Sequence, residues 1–398
     1  MKNGRLGGLF SFLLRHVDDA LRRNHRLHGG FFARRRVTRR TVSARDFDSA
    51  NEYALDLFNY MSELRYGELH LAHDAATGLR AIVAIHNTNL GPGIGGCRAI
   101  RYPNSDAGIR DAMRLSRGMA YKAAAAGLPH GGAKAVIMIP EGDFDRTALF
   151  LKYGEFVDSL NGKYVTCEDS GTSTDDMDVV STRTNHVLGT NGGSGDPSPF
   201  TALGCRRGVQ AAVKFQLGRD DLEGLHVAIQ GVGHVGYYLA RELHDLGASL
   251  TIADVNPSNA DRAAADFGAA IVPPEEILFV ACDVLAPCAL GAVFNDETIP
   301  QLKTTIIAGA SNNVLAEDRH GLALHKAGVL YAPDYVINAG GLINVATEFT
   351  GYDEAVSTAK VCEIYDTLLE IFERSRKTDT PTQVVADTLA EERMYASV

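Results

Sequence analysis

The sequence predicts a two-domain α/β protein with a cleft between its domains. From about Leu57 onward, short β-rich runs alternate with segments of helical periodicity, the pattern of parallel βαβ units. The run Gly189–Pro199 (GTNGGSGDPSP) is the strongest breaker in the chain, and it falls where a domain boundary or hinge is expected. Beyond it, a strand-like run, a glycine-rich turn, a helical run and a second strand follow one another directly. At 398 residues the chain has enough length for two cores.

Taken in order, residues 1–51 form a basic extension, expected to be disordered. Residues 1–45 hold one Lys and eleven Arg against Asp18 and Asp19, a local balance of +10. That leaves −20 for the remainder of a chain whose total is −10. Such an Arg-rich, acid-poor head reads either as an organellar targeting segment or as a plain basic tail. Residues 52–196 form the first domain, with a buried strand over Leu79–His86 and a helix over Ala107–Gly127, where Ile109, Met113, Leu115 and Met119 recur at helical spacing. A second strand is expected at Ala135–Ile139. Residues 197–344 form the second domain. In the C-terminal segment 345–398, helix over Ala359–Arg374 is expected to pack back on the first.

Composition excludes several classes. Apolar residues make up 45% and charged residues 22%, as in soluble globular proteins. No run of 18 apolar residues is present, so no membrane partner is expected. The net charge of −10 argues against nucleic acid. Six cysteines without a C-x-x-C pair read as reduced thiols, and no His/Cys/carboxylate group has metal-ligand spacing. No metal is expected.

The second domain opens with a dinucleotide fingerprint. Leu225–Gln230 reads as a buried strand running into Gly231-Val232-Gly233-His234-Val235-Gly236, then a helix to Leu246 and a strand Ser249–Ala253 ending at Asp254. Gly231 allows the tight turn, Gly233 admits a pyrophosphate to the backbone, and Gly236 lets helix and strand pack closely. The helix start offers free N–H groups and a positive dipole end. Asp254 accepts from ribose hydroxyls and repels a 2′-phosphate, which favours NAD over NADP in a Rossmann-like domain.

The first domain carries Lys122 at the end of a helical run and Lys134 twelve residues later, behind Gly131 and Gly132. Two glycines ahead of a lysine allow close approach of a small ligand. Apolar flanks at Ala123–Ala126 and Ala135–Ile139 point to burial of both lysines.

The motifs GPGIGG, GMAYKAAAAGL and GGAKAVI resemble those of the glutamate/leucine/phenylalanine/valine dehydrogenase family, with leucine dehydrogenases the nearest pattern. The resemblance runs from about Leu57 to the C-terminus through YVTCEDSGT, GDPSPFTALG, GVGHVG, APCALG, AGASNN and YAPDYVINAGG. It implies a substrate domain followed by an NAD domain, and NAD-dependent oxidative deamination of an apolar L-amino acid to its 2-oxo acid and ammonia. Lys122 matches the lysine that holds the substrate carboxylate, Lys134 the catalytic lysine, and Asp169 the aspartate that shuttles protons. Thr201 and Asn312 match positions around the nicotinamide, and Asn313 one at the reacting carbon.

In that reading Lys134, in an apolar cleft near a second cation, has a depressed pKa and acts as base toward the water that adds to the iminium. Ile94, Cys167, Leu342 and Val345 match the side-chain pocket. Ile94 and Val345 stand where glutamate-specific members carry a lysine and a serine, so glutamate is expected to be rejected. Cys167 and Leu342 are bulkier than the alanine and valine usual in leucine dehydrogenases. That narrows the pocket and favours valine or isoleucine over leucine, or redirects it toward an aromatic side chain (Phe or Trp). A catalytically silent NAD-binding regulator is the rival from another class. The resemblance also implies a homo-oligomer. A cytoplasmic enzyme is expected, or an organellar one if the basic head is a transit peptide.

Overall fold

A computed structural model describes residues 55–289 and 291–396 of the chain. The basic head, with the expectations of disorder or targeting attached to it, lies outside the described residues.

The first domain contains α1 (Leu57–Glu63), β1 (Glu68–Asp74), β2 (Leu79–Asn87), β3 (Gly93–Ile100), α2 (Ser105–Ala125), β4 (Gly131–Met138), α3 (Arg146–Ser159), β5 (Tyr164–Glu168) and α4 (Thr174–Ser181). The five strands form one mixed sheet in the order β1-β2-β4-β3-β5. β2 runs antiparallel to β1 and β4, while β3 runs parallel to β4 and β5. β4, the middle strand, is buried along its whole length, as its unbroken small and apolar sequence requires. Asn104 caps α2 by accepting from the Ala107 N–H at 2.9 Å.

Gly131 and Gly132 lie within β4, which begins four residues before the strand expected from the sequence. What approaches them closely is protein, not ligand. A Cβ on Gly132 would stand 1.9 Å from the backbone nitrogen of Ala120, and one on Gly131 would stand 2.0 Å from the carbonyl oxygen of Asn87. The missing side chains let helix and strand touch.

The second part of the chain contains α5 (Ser198–Leu217), β6 (His226–Gln230), α6 (His234–Asp245), β7 (Ser249–Ala253), α7 (Pro257–Phe267), β8 (Ala270–Ile271), β9 (Val284–Pro287), β10 (Ile306–Ile307), α8 (Arg319–Lys326), β11 (Leu330–Tyr331) and α9 (Asp334–Ile337). Its six-stranded sheet is parallel throughout, in the order β11-β10-β9-β6-β7-β8. The chain enters at the centre on β6, moves out through β7 to β8, then crosses to β9 and out to β11. This is the doubly wound Rossmann order, whose crevice opens where the direction of winding reverses, between β6 and β9.

Four helices complete the chain: α10 (Gly340–Ala346), α11 (Glu354–Cys362), α12 (Ile364–Thr378) and α13 (Thr382–Tyr395). The single helix expected over 359–374 is two, because the Glu363 N–H bonds to Lys360 O at 3.2 Å and breaks the α ladder. The last helix meets the first domain. Tyr121 donates to Glu391 at 2.6 Å, and Arg393 donates to the carbonyls of Ala124 and Ala125 in the last turn of α2, at 3.3 and 2.5 Å. One apolar core runs from Ala120–Ala125 through α5 into β6 and on to Leu389. Among the described residues no helix is long and apolar enough to cross a membrane.

The contact at Gly132 carries a prediction. Gly132→Ala forces two backbones apart, and overpacking of this kind costs about 1–3 kcal/mol or more. Urea unfolding is expected to show a loss at or above the top of that range, whereas Gly118→Ala, which meets nothing within 4 Å, leaves the midpoint unchanged or raised.

Candidate active site

Lys134 is the fourth residue of β4 and Lys122 lies in the last turn of α2. Because the two elements touch at Gly132 and Ala120, each lysine stands two residues beyond the same crossing point. Lys134 is 4% exposed. Asp169 follows β5 and reaches Lys134 across the intervening β3. The glycines of that strand leave the way clear, since a Cβ on Gly96 would stand 2.8 Å from the Cβ of Asp169.

Lys134 Nζ lies 2.9 Å from Asp169 Oδ1, and Arg98 Nε donates to Asp169 Oδ2, also at 2.9 Å. Burial pushes the Asp169 carboxyl up, but the two cations outweigh it and hold the group down to about 2. Burial pushes the Lys122 amine down to about 8, with Lys134 adding to the effect and Asp334 opposing it.

The four residues expected to line a side-chain pocket fall into two apolar clusters. Cys167 on β5 packs with Val165, Leu188 and Val345 of α10, while Ile94 of β3, 1% exposed, and Leu342 belong to the large core. Burial pushes the Cys167 thiol up to about 12, so it stays neutral and packs as a small apolar group.

The glycine loop meets its requirements one by one. Gly231 has φ 89°. A Cβ on Gly236 would stand 2.0 Å from the Gly231 carbonyl oxygen, whereas a Cβ on Gly233 would meet nothing within 4 Å, so the backbone there is open to a ligand. No side chain caps the first turn of α6, which begins at His234 and continues through Val235. Asp254 ends β7, where it accepts from the Val232 N–H at 2.9 Å and from the Asn256 N–H at 2.8 Å. An uncapped helix start, an open glycine and a carboxylate at the end of the neighbouring strand fit a dinucleotide.

The two halves meet at Asn312. Its Oδ1 accepts from Lys122 Nζ at 3.5 Å and from Asn338 Nδ2 at 2.7 Å. Asn313 takes a left-handed backbone with φ 54° and shapes the turn; of the pair, Asn312 is the one that reaches Lys122. The Thr201 hydroxyl bonds to Pro197 O one turn back, at 3.0 Å, at the start of α5. The expected breaker loop is held by Glu348, which accepts from the N–H groups of Gly189 and Ser194 at 3.2 and 2.7 Å. Its last residues, Ser198 and Pro199, already belong to α5.

Arg98, Asn338 and Glu348 were not singled out from the sequence. For Arg98 a signal existed, a lone charge inside the strand GIGGCRAI. Asn338 lies inside the run YAPDYVINAGG, which carries the family resemblance, whereas Glu348 stands in no such run.

Residues 66–186 match the family model for the Glu/Leu/Phe/Val dehydrogenase dimerisation domain, and residues 192–258 and 255–378 match that for glutamate/leucine/phenylalanine/valine dehydrogenase. The chain belongs to this family. It is 49% identical over 343 residues to a leucine dehydrogenase of Bacillus cereus, covering 85% of this chain and 94% of that one. It is 40% identical over 368 residues to a phenylalanine dehydrogenase of Bacillus thermotolerans, covering 90% and 94%. A crystal structure of L-tryptophan dehydrogenase from Nostoc punctiforme superposes with a TM-score of 0.78 at 44% identity, covering 86% of this chain and 99% of that one. The protein is thus an amino-acid dehydrogenase, and a nicotinamide cofactor follows from the family.

Asp169 links stability to pH. Its carboxyl is held below the usual 3.8, so its contribution is present above that value and is lost as pH falls toward about 2. Asp169→Asn is expected to lower the unfolding free energy by about 2 kcal/mol at pH 7. Denaturant titrations should show the gap to wild type closing as pH falls below 4, while a gap that does not change with pH would refute this account.

Proposed function

We propose that this dehydrogenase uses NAD to deaminate a branched-chain L-amino acid reversibly. Amino acid, NAD⁺ and water give 2-oxo acid, ammonium, NADH and a proton. The observation that carries the reading is the buried Lys134–Asp169 pair at 2.9 Å, with Lys122 beside it and Asn312 of the nucleotide half 3.5 Å from Lys122.

When bound, the nicotinamide ring accepts the hydride from the substrate α-carbon. The protein's own groups do the rest. Lys122 holds the substrate carboxylate and so orients the α-carbon. Asp169 takes a proton from the amino nitrogen and stabilises the cationic iminium. Lys134 activates the water that adds to that carbon. To act as base Lys134 first releases its own proton to water, which leaves the Asp169 carboxylate ionised and free to take the amino-group proton. Gly231, Gly233, Gly236 and the start of α6 would hold the pyrophosphate, with Asp254 at the ribose. Thr201 and Asn312 border the nicotinamide, and Asn313 the reacting carbon.

Ile94, Cys167, Leu342 and Val345 form a wall without charge, so a glutamate side chain would leave a carboxylate unpaired there. Cys167 packed against Val345 narrows the wall, which favours a branched chain over an aromatic ring. The likeness to leucine dehydrogenase supports that choice. The family description of residues 66–186 as a dimerisation domain supports a homo-oligomer. A cytoplasmic site of action completes the reading.

Three outcomes test it. With ammonia, NADH oxidation is expected for branched 2-oxo acids and to be at least tenfold slower for aromatic ones and for 2-oxoglutarate. Without ammonia there is none. Lys134→Ala is expected to lower kcat by about 10²–10⁴ while NAD⁺ binding, followed by fluorescence, survives; loss of nucleotide binding would mark a structural lysine. Lys122 is charged below about 8 and neutral above it, so direct binding of a 2-oxo acid without ammonia should weaken as pH rises past 8. Lys122→Arg, whose guanidinium keeps its proton, should lose that dependence.

A further inference from the structure

We propose that Arg98 is a positioning residue for Asp169, holding Oδ2 so that Oδ1 faces Lys134, and that Asp111 anchors it from behind. The inference rests on the proposed role of Asp169 and extends it to residues that touch neither substrate nor cofactor.

A guanidinium in a largely buried strand needs partners on every side it presents. Arg98 has them at both ends of its fork. Nε donates to Asp169 Oδ2 at 2.9 Å and Nη1 donates to Asp111 Oδ2 at 3.0 Å. Asp111, on α2, is itself fixed, accepting from Tyr102 OH at 2.6 Å and from Arg114 Nη2 at 3.1 Å. The side chain that meets Asp169 is thereby fixed at its far end. A lysine presents a single point charge and cannot serve both carboxylates in this way.

A purely structural role would be to tie the 169–172 loop to the sheet. That loop is held without Arg98. The Asp169 N–H donates to Thr172 Oγ1 at 2.8 Å, Thr172 Oγ1 donates to Cys97 O at 3.0 Å, Ala99 N donates to Ser170 O at 3.0 Å, and Arg146 donates to Gly171 O at 2.8 Å. What Arg98 adds falls on the carboxylate alone. When Lys134 gives up its proton to catalysis, Asp169 loses one of its two cations; Arg98 is the one that stays. Arg98 keeps the carboxylate ionised until the amino-group proton arrives and stops it from rotating away from the cleft.

The charged and titratable groups facing Asp169 are Lys134 from β4, Arg98 and Cys97 from β3, Cys167 and Glu168 from β5, and Lys122 from α2, with Tyr102 and Asp111 behind Arg98. Among these, Arg98 is the cation not engaged in the reaction. Removing it should raise the proton affinity of Asp169.

The experiment measures kcat and KM at the pH where wild type is fastest, with the amino acid it turns over best, and the unfolding free energy of the full-length enzyme from pH 2 to pH 7, a range that spans the titration of Asp169. Arg98→Gln, Arg98→Lys and Asp111→Asn are compared, with NAD⁺ binding and Tm followed in parallel. Arg98→Gln is expected to lower kcat by about tenfold or more with KM within about threefold, and to move the acid limb of the stability profile, where Asp169 takes up its proton, up by about one pH unit. Arg98→Lys restores the limb but not kcat. Asp111→Asn moves both in the same direction by less, and decides the matter if Arg98→Gln does not fold. Variants whose limb stays put, whether kcat is within twofold of wild type or falls only with Tm, overturn the proposal. A wild type silent on every amino acid would sink the parent reading and this inference together; an active wild type with indifferent variants sinks this inference alone.

Discussion

A buried ammonium facing a half-buried carboxylate is the interaction on which this molecule is organised. Desolvating Lys134 and Asp169 separately would cost several kcal/mol each, and each offsets that cost for the other, with Arg98 as the second cation on the carboxylate. Everything nearby serves to bring the two within 2.9 Å. Bare glycines in β3 clear the path between neighbouring strands, and the contact of α2 with β4 at Gly132 brings a second lysine to the same spot.

Much of this arrangement is legible in the sequence because the steps involved are local. The unit from His226 to Asp254 follows from strand, turn and helix signals within thirty residues, and the sheet order agrees with it. Lys122, Lys134 and Asp169 stand out through motifs that match a family, and the fold brings them together. The glycines before Lys134 were misread for a physical reason. A glycine marks a close approach but does not say by what, and here the approaching groups are the backbones of Asn87 at Gly131 and of Ala120 at Gly132, the latter set by how α2 crosses the sheet.

The residues that escaped notice share a different feature. Asn338 and Glu348 act on partners brought near only by tertiary folding, Asn312 and Ser194 among them. Asn338 turns the Asn312 amide so that its oxygen meets Lys122. Glu348 gathers the N–H groups of a loop that periodicity reads as a featureless break. Periodicity reports which face of an element is buried and says nothing about which side chains cross from one element to another. The helix break at Glu363 belongs to the same class, since neither Gly nor Pro marks it.

The contact of Lys122 with Asn312 joins the two halves of the chain through side chains, and Asn338 holds the Asn312 amide in place from the other side. An amide oxygen is a weaker partner for an ammonium than a carboxylate is, so under the proposed function the substrate α-carboxylate would displace it at a gain. Selectivity under the same proposal rests on charge, since Ile94, Cys167 and Val345 are uncharged and none of them would pair with a second acid.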